Sequence, residues 1–132
     1  MTTDVFLDTN VIVYLFASDE RKRARSEALL ADGATVSVQV LNETALTLRR
    51  KLNKSWRQIE DMSSRVRQVC AVVPVTEAVH VGGLAVAARW KLHLYDSTIV
   101  AAALSAGCKV LLSEDMQDGR VIDGLTIRNP YA

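Results

Sequence analysis

Three observations predict an α/β fold, with a central parallel sheet of about five strands covered by helices on both faces. Short apolar segments of strand composition alternate along the chain with longer segments of helical spacing. Two of the strand segments, Val5-Phe6-Leu7 and Lys109-Val110-Leu111-Leu112-Ser113, run straight into acid, at Asp8 and at Glu114-Asp115. Ligands of open α/β sheets bind beyond the carboxyl ends of the strands, so acids there point to a site. At 132 residues, the chain is expected to form one domain (1–132) that buries roughly two-thirds of its unfolded surface.

The elements follow in order. After Val5–Leu7, the run Val11-Ile12-Val13-Tyr14-Leu15-Phe16 predicts a buried helix capped by Thr9 or Asn10. Asp19 to Asp32 predicts a second helix, basic at Arg21, Lys22, Arg23 and Arg25 and closed by Gly33. Ala34 to Val38 alternates polar and apolar residues and reads as a strand. Leu41, Ala45, Leu48 and Leu52 mark the apolar stripe of a helix that Asn53 ends. Ser55 and Gln58 form a capping box, and Trp56, Ile59, Met62, Val66 and Val69 the buried face behind it. Val72–Val75 contains Pro74, which places it at a sheet edge. Thr76 to Trp90 is alanine-rich and helical, with Gly82-Gly83 permitting close packing. Asp96 to Ala106 is apolar nearly all round, a buried helix capped by Asp96 and closed by Gly107. Lys109–Ser113 and Leu125–Ile127 are the last strands, and no repeat, linker or low-complexity tract interrupts the series.

Composition narrows the function classes. Half of the residues are apolar (49%) and the net charge is +1, an ordinary globular profile without an overall field that advertises nucleic acid or membrane. The charge is uneven, however. Arg49, Arg50, Lys51, Lys54, Arg57, Arg65 and Arg67 make the middle basic, and Asp96, Glu114, Asp115, Asp118 and Asp123 make the last third acidic. An anionic substrate beside a cation-binding pocket would suit that asymmetry. Cys70 and Cys108 fit no zinc or redox spacing and are expected to be small core residues in a reducing compartment. The N-terminus has no secretion pattern and the apolar run Ile99 to Leu104 is too short for a bilayer, so a cytoplasmic protein without a membrane partner is expected.

Parallel strands bring four carboxylates to one edge: Asp8 and Asp115 after strands, Asp96 at a helix start, and Glu43 in the first turn after Val36–Val38. Taken singly, Asp96 is explained as an N-cap and Glu43 as a solvated residue favoured by the helix dipole. Asp118-Gly119 is explained as a turn and Glu114 as a solvated neighbour of Asp115. Together the four make a site. Like charges at close range raise each other's pKa, and a divalent cation resolves the repulsion. An all-oxygen donor set favours Mg2+, with Mn2+ as the alternative, and the matching chemistry is phosphodiester hydrolysis. His80, His93, Trp56 and Trp90 are read as structural.

Leu7-Asp8-Thr9-Asn10, Asn42-Glu43, Tyr95-Asp96 before an apolar helix and Ser113-Glu114-Asp115 together resemble the PIN-domain ribonucleases. The length, and the stretch from Leu112 to Gly119, is similar to the VapC-type toxins of toxin–antitoxin pairs. That resemblance implies a three-layer fold with strand order 3-2-1-4-5, and an endoribonuclease whose acids Asp8, Glu43, Asp96 and Asp115 bind magnesium. It implies Asn10 and Ser113 as supporting residues, RNA as substrate, a cognate antitoxin and a homodimer. Asp8, Asp96 and Asp115 would hold metal, and Glu43 would orient or deprotonate water. Arg49, Arg50, Lys51 and Arg57, with Arg21–Arg25, are candidates for RNA phosphates, against the alternative of a solvated helix face. Three other readings stand beside it: an RNA-processing PIN nuclease without an antitoxin, a phospho-receiver module and a non-catalytic RNA-binding domain. The receiver wants paired acids after the first strand, where Asp8 is followed by Thr9-Asn10.

Overall fold

The computed structural model describes residues 4–132, and in it one six-stranded sheet runs in the order β3-β2-β1-β4-β6-β5. Its strands are β1 (Val5–Leu7), β2 (Ala34–Ser37), β3 (Cys70–Val73), β4 (Val110–Leu112), β5 (Val121–Ile122) and β6 (Leu125–Arg128). All pairings are parallel except that of β5 with β6. The six helices are α1 (Thr9–Val13), α2 (Glu20–Ala31), α3 (Val38–Arg50), α4 (Trp56–Val69), α5 (Glu77–Trp90) and α6 (Leu94–Ser105), with a 3-10 turn at Tyr14–Phe16. From β1 the chain winds outward through β2 to β3, then crosses back to β4 on the other side of β1. Right-handed crossovers therefore put α1–α4 on one face and α5–α6 on the other. The contacts agree: α1 meets α3, α3 meets α4, and α5 packs along α6.

The expected fold class holds, with a sixth strand and a changed order at one edge. The expected 3-2-1-4-5 continues into a β5–β6 hairpin, whose final strand pairs with β4. Asp123 and Gly124 both have positive φ (48° and 89°), as a two-residue hairpin turn requires. An Asp-Gly pair between apolar residues is the local signal for this turn. The proline does mark an edge, since Pro74 directly follows the edge strand β3.

Several local expectations are corrected. The cap of α1 is Asp8, whose side chain accepts from the Thr9 amide, and neither Thr9 nor Asn10 serves. β2 is buried at every position and stops at Ser37, because a strand flanked by two others and covered on both faces has no wet side. Val38 therefore opens α3, with Ser37 as cap, and Glu43 lies in the second turn. His93, through Nδ1, caps α6, leaving Asp96 inside the first turn. In α4 only Ile59, Met62 and Val66 are buried. Trp56 stands largely exposed with the Arg49 guanidinium 5.2 Å from its ring, and Val69 faces out at the last turn. The Ser55–Gln58 capping box forms as expected.

The core lies where both helical layers meet the sheet, around Phe6, Leu7, Val36, Leu111 and Ile127, with Val11, Ile12 and Leu48 from one side and Ile99 and Val100 from the other. Cys70 and Cys108 are buried thiols within it. No helix among the described residues is long and apolar enough to cross a membrane.

Candidate active site

Strand order reverses between β1 and β4, and the crevice beyond their carboxyl ends is the switch point where such folds bind ligands. Leu7 pairs with Leu112, so the next residues, Asp8 and Ser113, stand side by side there. The Ser113 hydroxyl donates to Asp8 Oδ2 at 2.7 Å, and the Thr9 amide donates to Oδ1 at 2.7 Å. Asn10, in the first turn of α1, spans the crevice. Its Nδ2 lies 3.3 Å from Asp8 Oδ2 and 3.2 Å from Asp115 Oδ2, while its Oδ1 accepts from the Glu114 amide at 3.1 Å. Ser113 Oγ also accepts from the amides of Asp115 and Met116, at 3.2 and 3.3 Å. Asn10 and Ser113 thus each hydrogen-bond to both Asp8 and Asp115.

Asp8 is 5% exposed, and burial pushes its carboxyl up to about 6. The Ser113 and Thr9 hydrogen bonds work against that rise, and the charges of Asp96 and Asp115 add to it. Asp96, half-buried in the first turn of α6, is also raised by burial and by Asp115, against the pull of His93. The three aspartates therefore share one electrostatic environment. Among the described residues no group of three acidic, histidine or cysteine side chains is arranged to hold a metal ion.

Glu43 is tied to the start of α6 through Gln39, a residue that sequence reasoning missed. The Gln39 amide donates to Glu43 Oε2 at 2.7 Å and to the Tyr95 carbonyl at 3.0 Å, and its oxygen accepts from the Thr98 hydroxyl at 2.6 Å. Gln39 and Glu43 are one helical turn apart on α3, and Tyr95 immediately precedes Asp96. Glu43 and Tyr95 also line an apolar groove of about 520 Å³ with Val38, Leu46, Val75 and Leu94. Of the expected acids, Glu43 lines the groove.

The remaining expected residues fall elsewhere. Glu114 is not a solvated neighbour: its carboxylate is held by Lys22 and Tyr14, with its side chain 25% exposed. Asp118 sits in a turn and accepts from the Asn129 amide at 2.9 Å, away from the other acids' bonds. Arg21 and Arg25 donate to the carbonyls of Tyr131 and Pro130, and Arg23 to that of Ala17, so these bases fasten chain segments. Arg49 donates to the Lys54 carbonyl, and Arg50, Lys51 and Arg57 are exposed. Of these, Arg50 follows Glu43 by seven residues, which places it on the same face of α3 about 10 Å further along.

A family model described as the PIN domain matches residues 5–120. Among solved structures, a toxin–antitoxin complex from Klebsiella pneumoniae is similar at 18% identity and a TM-score of 0.74, over 96% of this chain and 98% of that one. VapBC2 from Rickettsia felis, bound to a DNA fragment from its promoter, is similar at 15% identity and 0.70, over 95% and 97%. The Mycobacterium tuberculosis toxin VapC20, which cleaves the sarcin–ricin loop, is similar at 19% identity and 0.68, over 84% and 89%. A comparison with curated proteins finds no match. With the family match spanning the sheet from β1 to the turn before β5, and with Asp8, Asp96 and Asp115 at its switch point, the chain belongs to the PIN domain family.

Proposed function

We propose that the protein is a magnesium-dependent endoribonuclease, the toxin of a toxin–antitoxin pair, that hydrolyses RNA phosphodiester bonds. The observation that carries this is the coupling of Asp8, Asp96 and Asp115 across the switch point, with Asn10 donating to two of them. The charge of Asp115 disfavours the ionised forms of Asp8 and Asp96, a repulsion that a cation would relieve. The donors are all oxygen, which suits Mg2+ or Mn2+ rather than zinc. Magnesium takes one or two carboxylates directly and keeps several waters, so it does not require three acids closed around it. Asp8, Asp96 and Asp115 would hold it. Bound there, the ion would lower the pKa of a water, neutralise the scissile phosphate and steady the leaving oxygen.

The chain's own residues do the rest. Asn10 and Ser113 fix the orientation of Asp8 and Asp115 before substrate arrives, so little reorganisation is left for the reaction. Glu43, aimed by Gln39, orients the attacking water and takes its proton. Arg50, on the Glu43 face, meets an RNA phosphate beyond the cut, with Arg49, Lys51 and Arg57 further along the same basic flank. The antitoxin is proposed because the similar structures include toxin–antitoxin complexes. The groove beside Glu43, with Leu46, Val75 and Tyr95 exposed, offers it apolar anchorage. A homodimer is proposed on the exposed Val81 and Leu84, three residues apart on α5.

Purified protein incubated with RNA should cleave it in Mg2+ or Mn2+, stop on chelation and resume when either ion is restored. Asp8→Asn and Asp96→Asn should each drop cleavage to background, and wild-type rates in these variants would sink the metal site. Expression should arrest growth, and co-expression of the neighbouring upstream gene should relieve it.

A further inference from the structure

Two adjacent acids on the loop after β4 have different environments: Asp115 faces Asn10 and the other aspartates, whereas Glu114 is gripped from α2 and the 3-10 turn. Lys22 Nζ pairs with Glu114 Oε1 and the Tyr14 hydroxyl donates to Oε2. Lys22 also donates to the Tyr14 hydroxyl at 3.1 Å and lies 4.7 Å from the Tyr14 ring centroid and 5.5 Å from that of Tyr131. The two rings meet edge-on at 4.9 Å, and the Tyr131 hydroxyl lies 2.6 Å from Ser26 Oγ on α2. With side-chain exposures of 20% and 25%, Lys22 and Glu114 are not a loose surface pair. The Glu114 amide meanwhile donates to Asn10 Oδ1, and Asn10 donates to Asp8 and Asp115. The loop is pinned by side chain and backbone at the residue before Asp115.

We propose that Lys22, Tyr14 and Glu114 form a positioning clamp, in which Lys22 and Tyr14 hold Glu114 off the cation site and thereby place Asp115 to bind the ion. The clamp rests on the proposed metal-dependent reaction. None of its three residues touches substrate or metal; each acts through Asp115. Residues that orient a metal ligand typically change affinity by roughly ten- to a hundredfold when removed. Simple charge arithmetic gives the opposite sign, because deleting a lysine near a cation site, and freeing a carboxylate beside it, would tighten cation binding.

That opposition makes the test decisive. Mn2+ binding is measured by electron paramagnetic resonance on the intact protein without RNA, with melting temperature followed in parallel. Lys22→Met should weaken Mn2+ roughly tenfold. Tyr14→Phe, which changes no charge, should weaken it in the same direction, and Lys22→Arg should return it close to the wild-type value. Cleavage by the first two variants should fall in kcat with little change in KM for RNA. Unchanged or tighter Mn2+ binding in Lys22→Met or, should that variant not fold, in Tyr14→Phe would overturn the clamp. Failure of the wild type to take up Mn2+ would overturn the metal reading and the clamp together, whereas wild-type binding with unaffected variants overturns the clamp alone.

Discussion

Asp8 carries its charge where water hardly reaches, 5% exposed and with its carboxyl pushed from 3.8 up to about 6. The folded state then binds the proton more tightly than the unfolded state, so the stability this group contributes is complete below about pH 4 and is lost as pH rises through about 6. Asp96 is shifted in the same direction. In chelator, the melting temperature should rise on acidification from pH 7.5 to about 5, and Asp8→Asn should flatten the slope and be the more stable protein at neutral pH. The displacement corresponds to on the order of 3 kcal/mol. Calorimetric scans across that range check it, and a wild-type curve as flat as that of Asp8→Asn would contradict it. Glu114 runs the other way, its carboxyl lowered by Lys22 and Tyr14 despite burial, but its effect belongs below the ordinary carboxylate range. Asp8 and Asp115 were legible in the sequence because each follows a strand segment, and Ser113 came with the resemblance. Gln39 and Lys22 were not, because a glutamine and a lysine on helices carry no local mark of the partners that folding brings them.

At the scale of elements, α5 and α6 cross at glycine. A Cβ at Gly83 would stand 2.5 Å from Thr98 Cγ2 and 3.1 Å from Thr98 Cα, whereas one at Gly82 would meet Ala101 Cβ at an ordinary 3.4 Å. Gly83→Ala should therefore cost about 1–3 kcal/mol through overpacking. Gly82→Ala should be neutral or stabilising by up to about 1 kcal/mol from helix propensity. Chemical denaturation of the pair checks the contrast. Cleavage should fall with Gly83→Ala as well, since Thr98 holds Gln39, which holds Glu43. The Gly82-Gly83 pair announced close packing in the sequence, but which of the two touches the neighbour depends on how the helices are rotated.

Over the whole molecule, the C-terminal segment is fastened to the flank of the site. Tyr131 is 5% exposed against Tyr14 and Ser26, and Arg21 and Arg25 hold the carbonyls of Tyr131 and Pro130. Tyr131→Ala should lower stability by about 3 kcal/mol and loosen Lys22, which rests over the same ring. Thermal melts check the first effect. Cleavage measured well below the melting temperature checks the second, and an unaltered rate there would separate the anchor from the site. Arg21 and Arg25, candidates for RNA phosphates on charge alone, thus fasten the C-terminal segment. Their charge was visible in the sequence, but the carbonyls they hold lie more than a hundred residues away.

By itself the sequence determined the α/β alternation, the edge position before Pro74, the capping box of α4 and the strand-end acids Asp8 and Asp115, because periodicity, caps and strand ends are written in neighbouring residues. The resemblance added the strand order, correct up to the β5–β6 hairpin that the Asp123-Gly124 pair signals locally. Only the tertiary structure decided that β2 has no wet face, that His93 rather than Asp96 caps α6, and that Gln39 ties Glu43 to the start of α6. It alone brought Lys22 and Tyr14 to Glu114. Those facts depend on which surfaces meet across a folded sheet, and the meeting is fixed by packing between residues far apart in the chain.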